Sequence, residues 1–132
     1  QGQVTSGANS IAQRATIAAV EADPKVLNYM VEAFHKRRDL VVGLIKEIPG
    51  LKINVPEGAF YVFPDVSSFF GKTLRGQLIS NSTDFSMYLL AEANVATVTG
   101  EAFGNPNCIR FSYATSEDLL VEAMRRIKEA LI

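Results

Sequence analysis

The stretch Cys108-Ile109-Arg110-Phe111-Ser112-Tyr113-Ala114, followed at Ser116-Glu117-Asp118 by a helical pattern running to about Leu131, decides the fold class. In an extended chain, successive side chains point to opposite faces. Ile109, Phe111 and Tyr113 are therefore expected to face a core, while Arg110 shares the other face with Cys108, Ser112 and Ala114. After Ser116 the pattern becomes that of an amphipathic helix, with a serine and two acids where a helix N-terminus favours them.

Working back from this point, the same alternation of short strands and helices recurs. Thr99 to Asn107 is a glycine-punctuated loop, and Val95 to Val98 a short strand before it. Thr83-Asp84 can cap a helix to about Ala93 that turns Phe85, Tyr88, Leu89 and Leu90 inward. Residues 64 to 82, with Pro64, Gly71, Gly76 and several serines, read as a long mobile surface loop. Ala59-Phe60-Tyr61-Val62-Phe63 is rich in aromatic and β-branched residues and reads as a strand. Pro56-Glu57-Gly58 before it is a turn, and Leu51 to Val55 a further brief strand. Together these predict a sheet of three or four strands covered by helices.

The first third is helical in pattern. Ile11, Ala12, Ala15, Ala18, Ala19 and Ala22 form a stripe of mostly small apolar residues, with Asn9 or Ser10 available as its cap. Asp23-Pro24 ends that helix and starts another, expected over Pro24 to Ile48 and stopped by Pro49-Gly50. Such a helix is longer than the usual globular one, which suggests that it spans more than one packing environment.

Composition narrows the chemistry. The 132 residues suffice for one domain with a sizeable core, and a net charge of -1 points to neither a nucleic acid nor an anionic membrane as partner. No apolar run approaches a membrane span, and the polar start QGQVTSGANS lacks a signal peptide's apolar stretch. That start also lacks Met, which suggests a chain cut from something longer. Cys108 is the single cysteine and His35 the single histidine, so neither an internal disulfide nor a zinc site is expected, and a cytoplasmic setting fits.

Few residues remain that could carry chemistry. Arg110, flanked on its face by small residues, leaves room for a ligand, and its planar fork matches a carboxylate. Spacing alone equally describes an arginine on a solvated sheet face, the commoner situation. Gly58, leading into an apolar strand, allows close backbone approach or positive φ, or is a plain turn residue. Gly100 and Gly104 resemble a phosphate loop only in spacing, since the lysine and following helix are missing. Lys36-Arg37-Arg38 reads as a solvated helix face or an interdomain contact, His35 as a surface residue, and Cys108 as a packed residue before a reactive thiol. No Ser-His-Asp arrangement is available. Unaided, these residues describe a helix-covered sheet with room for a carboxylate beside Arg110.

Three segments, in this order and spacing, resemble the class I/II aminotransferases, most closely the bacterial aspartate aminotransferase branch. They are Pro56-Glu57-Gly58-Ala59-Phe60-Tyr61, Val98-Thr99-Gly100-Glu101-Ala102-Phe103-Gly104 and Ile109-Arg110-Phe111-Ser112-Tyr113-Ala114. Gln3-Val4-Thr5-Ser6 and Ser10-Ile11-Ala12-Gln13 are similar to the segment after that family's cofactor lysine. The resemblance implies an α+β fold, a two-layer sandwich with a mainly antiparallel sheet. It implies that residues 1–22 end a large cofactor domain, 23–48 form an interdomain helix and 49–132 form a small C-terminal domain. The implied activity uses pyridoxal 5′-phosphate to move an amino group between an amino acid, aspartate foremost, and a 2-oxo acid such as 2-oxoglutarate, in a homodimer.

By the same resemblance Arg110 grips the substrate α-carboxylate, Gly58 and Phe60 shape the pocket mouth, and Thr5 and Ser6 approach the cofactor phosphate across the dimer. Lysines 25, 36, 46, 52, 72 and 128 do not sit in the family's Ser-Lys context, so the Schiff-base lysine is expected outside the chain. The chain alone is then expected to be inactive and free of cofactor. A freestanding carboxylate-binding regulatory module is the alternative.

Overall fold

A computed structural model describes residues 2–132 and, at Thr5, the main chain alone. The chain divides into two compact units between Glu32 and Ala33.

The first unit holds α1 (Gly2–Thr5), α2 (Ser10–Glu21) and a 3-10 turn over Pro24–Leu27. Asn9 is the cap of α2: its side-chain oxygen accepts from the Ala12 N–H at 2.8 Å. The Asp23 carboxylate likewise accepts from the Lys25 N–H at 2.9 Å, with Pro24 at the first turn. The continuous helix expected from Pro24 thus begins as a 3-10 turn, and α3 runs over Asn28–Lys46. No residue of α2 is buried, and Ile11 (81% exposed) and Val20 (78%) leave their apolar surface open.

The second unit is built around the strand the sequence picked out. β1 (Tyr61–Val62), β4 (Val98–Thr99) and β5 (Ile109–Ser112) form an antiparallel sheet in the order β1-β5-β4. The register pairs Tyr61 with Ser112, Val62 with Phe111, Val98 with Arg110 and Thr99 with Ile109. Ile109, Phe111 and Tyr113 are buried as their alternation requires. They share one core with Val41, Ile45 and Ile48, with Phe85 and Tyr88 of α4 (Ser82–Tyr88), and with Leu120, Met124 and Ile127 of α5 (Glu117–Leu131). The Ser116 side chain caps α5, and the Tyr88 hydroxyl donates to the Ala130 carbonyl, which ties α4 to the end of α5. This is an α+β fold, a small antiparallel sheet covered by helices.

Three expectations need correction. Residues 64 to 82 are not a structureless loop: β2 (Lys72–Leu74) and β3 (Gln77–Ile79) form a hairpin, preceded by a 3-10 turn at Ser67–Phe69. Val66, Phe69 and Ile79 anchor this segment in the core, and its tip Arg75-Gly76 has the two positive φ angles (45° and 86°) that a tight hairpin turn favours. Leu51 to Val55 is not a strand. Lys52 makes a single bridge to Asp65, exchanging backbone bonds of 3.2 and 2.8 Å, and the chain then leaves. Leu90 faces out (46% exposed): at about 100° per residue it stands about 140° around the helix from Phe85, away from the side shared by Phe85, Tyr88 and Leu89.

The basic run is solvated at Lys36 and partly covered at Arg37 and Arg38. Lys36 pairs with Glu117 at 2.9 Å and Arg38 with Asp39 at 2.8 Å, while the Arg37 guanidinium lies 5.5 Å from the Phe34 ring centre. Among the described residues, no helix is long and apolar enough to cross a membrane.

Candidate functional site

Arg110 leaves the central strand β5 on the face opposite Ile109 and Phe111 and is half-buried. Its guanidinium carbon lies 4.2 Å from the ring centre of Tyr61 on the adjoining strand β1. It lies equally close, 4.2 Å, to the ring centre of Phe103. Arg110 makes no hydrogen bond or ion pair with any described residue, so its N–H donors are unspent.

Phe103 reaches this position through a tight 3-10 turn over Gly100–Phe103. The Gly100 N–H donates to the Cys108 carbonyl at 2.8 Å, drawing the turn onto the start of β5. A Cβ at Gly100 would stand 2.2 Å from the Asn105 oxygen and 2.3 Å from the Cys108 oxygen, both backbone, so only glycine fits. Phe63 meets Phe103 edge-on with ring centres 6.2 Å apart.

Phe60 is 41% exposed and packs its ring 4.3 Å from that of Tyr61. The Phe60 carbonyl accepts from the Tyr113 N–H at 2.9 Å, and the Ala59 carbonyl accepts from the Tyr113 hydroxyl at 2.9 Å. The structure thus brings Phe60 to Arg110 through Tyr61. Gly58 stays in the preceding turn, where nothing would crowd an added Cβ, and it is Ala59 that takes the positive φ of 61°. Ser6 belongs to the first unit, exposed, with φ 55°. The side chain of Thr5 lies outside the described residues.

Cys108, two residues before Arg110, is buried. Burial pushes its thiol pKa up and the charge of Asp65 adds to the effect, which disfavours a reactive thiolate. Tyr61 and Phe103 are the site residues that sequence reasoning passed over. The available signal was the lone aromatic between Gly100 and Gly104, a large side chain in a loop too tight to bury it.

Pyridoxal phosphate needs an amine for its imine and an acidic partner for its ring nitrogen. The lysines here do not supply that setting: Lys36 and Lys128 are paired with Glu117 and Glu47, Lys72 lies over the Phe69 ring, and Lys25, Lys46 and Lys52 are exposed. The described residues of this chain therefore do not fit the cofactor on their own.

Residues 1–127 match the family model for aminotransferase class I and II. The bifunctional aspartate aminotransferase and glutamate/aspartate-prephenate aminotransferase of Petunia hybrida is 47% identical, over 100% of this chain and 28% of that protein. The aspartate aminotransferase of Rhizobium meliloti strain 1021 is 47% identical over 98% of this chain and 32% of its own length. Among solved structures, an aspartate aminotransferase from Rhizobium meliloti superposes with a TM-score of 0.90 at 45% identity, covering 98% of this chain and 33% of that one. An alanine aminotransferase from Pyrococcus furiosus gives 0.80 at 29% identity, covering 92% and 29%. The chain thus spans about a third of the length of the curated relatives it matches. With the family model matched along nearly its whole length, this chain belongs to the class I and II aminotransferases.

Proposed function

We propose that this chain supplies the substrate-carboxylate grip of a pyridoxal-phosphate-dependent aminotransferase acting on aspartate and a 2-oxo acid such as 2-oxoglutarate. The observation that carries the reading is Arg110: a half-buried guanidinium 4.2 Å from the ring centres of both Tyr61 and Phe103, with its donors unspent among the described residues. A bidentate bond from that fork fixes a carboxylate in one plane and so orients the adjacent Cα for reaction. The names of the Petunia and Rhizobium relatives support aspartate as the amino donor.

On this reading residues 1–22 end a large cofactor domain, 23–48 link the domains, and 49–132 form the small domain that closes over substrate. The cofactor, anchored by a lysine outside these 132 residues, would supply the electron sink, so the 132 residues alone would neither hold it covalently nor transaminate. Gly58 and Phe60 shape the pocket mouth, and Thr5 and Ser6 approach the cofactor phosphate of the neighbouring subunit in a homodimer. The setting is the cytoplasm, which suits an unpaired buried thiol such as Cys108.

Arg110→Lys in the full-length enzyme tests the grip. Lysine keeps the charge but loses the planar fork, and kcat/KM is expected to fall about 100-fold or more. Steady-state kinetics showing an unchanged kcat/KM would remove Arg110 from the site.

A further inference from the structure

A half-buried cation must be stabilised by something. The usual partner is a carboxylate, but a carboxylate occupies the fork that a ligand would need. Arg110 has ring faces in that place, from two separate elements: Tyr61 on β1, fixed by its pairing with Ser112, and Phe103 on the turn drawn onto β5 by Gly100. An aromatic face attracts a guanidinium through its flat side, whereas the five N–H donors lie in the guanidinium plane. The charge is therefore held without consuming any donor.

The support extends outward on both sides. Tyr61 is backed by Phe60 at 4.3 Å and Phe60 by Phe34 at 6.3 Å, while Phe103 is backed by Phe63 at 6.2 Å. A long arginine side chain otherwise samples many rotamers, and binding must restrict them. We propose that Tyr61 and Phe103 are positioning residues, which hold the Arg110 guanidinium plane and so preset the direction of the fork for a substrate carboxylate. This rests on the reading of Arg110 as the carboxylate grip. A purely structural aromatic cluster would change stability when cut and leave carboxylate affinity alone.

The test uses Tyr61→Leu and Phe103→Leu, with Tyr61→Phe and Phe103→Tyr as ring-preserving partners. In the full-length holoenzyme each leucine variant should raise KM for both the amino acid and the 2-oxo acid about 3- to 30-fold, with a smaller change in kcat. The ring-preserving variants should stay within about twofold of the parent, because they keep the face that holds the cation. In the 132-residue chain, NMR of the Arg110 Nε–H group reads the geometry directly. Both leucine variants should move that resonance away from its ring-shielded position, and each ring-preserving variant should retain it. Succinate titration followed on the same resonance should weaken in the leucine variants only.

Leucine variants that leave KM and succinate affinity unchanged, while Arg110→Lys lowers kcat/KM about 100-fold and weakens succinate binding, would overturn the positioning role and spare the grip. An Nε–H resonance unmoved in the leucine variants would overturn it whatever the kinetics. A harmless Arg110→Lys would instead bring down the functional reading, leaving the resonance to decide the stack.

Discussion

Arg110 and Arg125 sit in the same unit and have opposite surroundings. On α5, Arg125 donates to both carboxylate oxygens of Glu122 at 2.8 Å and again to Glu129, while Arg126 adds a bond of 2.7 Å to Glu122. On the sheet, Arg110 has ring faces at 4.2 Å and no carboxylate among the described residues. Arg125 has spent its donors on neighbours one helical turn away, and its charge is balanced within α5. Arg110 is held but not neutralised, which is the state a ligand-binding arginine needs before its ligand arrives. Charge alone separates the two poorly; what each guanidinium does with its donors separates them well.

The difference extends to the backbone. Arg125 needs only a regular helix, whereas the Arg110 arrangement depends on the close approach at Gly100. Gly100→Ala is therefore the most damaging single change expected in this region. The new Cβ would meet two carbonyl oxygens at 2.2 and 2.3 Å, and backbone cannot swing aside as a side chain can. We expect a loss of about 3 kcal/mol or more in denaturant unfolding, together with loss of the Phe103 contact. A variant that unfolds at the parental denaturant concentration would show that the turn can relax, and that Phe103 does not depend on it.

Arg125→Ala provides the opposite extreme. Its guanidinium is exposed and its partners are solvated, so the thermal midpoint should stay within about 3 °C of the parent. Full-length kcat/KM should not change. A fall in activity comparable with that of Arg110→Lys would erase the contrast between the two arginines.

The legibility of these features in the sequence follows the same divide. The alternation Ile109-Arg110-Phe111 and the heptad-like spacing of Leu120, Met124 and Ile127 repeat over several residues, and both elements appear where their pattern places them. The 64–82 segment misleads because its anchors, Val66, Phe69 and Ile79, are short apolar spots interrupted by Ser67, Ser68, Gly71 and Gly76, too few in a row to establish a strand or helix period. Arg110 itself could be suspected from its small neighbours, yet its solvated alternative had the same spacing. What distinguishes them, the rings of Tyr61 and Phe103, comes from positions 49 and 7 residues away in the chain and becomes visible only in three dimensions. The apolar stripe of α2 is regular in sequence, but periodicity identifies a face and not what covers it.

The smallest expected effect is a pH dependence that belongs to the Arg125 side alone. Hydrogen bonds from Arg125, and then from Arg126, hold the Glu122 carboxyl at about 2 against an ordinary value of 4.5. A carboxyl lowered in the folded state is protonated first in the unfolded chain. Its contribution to stability is present above pH 4.5 and is lost as the pH falls through that value toward 2. Thermal melts of the parent and Glu122→Gln should differ slightly at neutral pH and converge across this window. Added salt should shrink the difference, because the groups are exposed. Phe103→Leu removes no titrating proton, so its melting curve should run parallel to the parent over the same range. Convergence of that variant instead, with Glu122→Gln parallel, would mean that the ring-held cation and not the helix network is tied to a carboxyl.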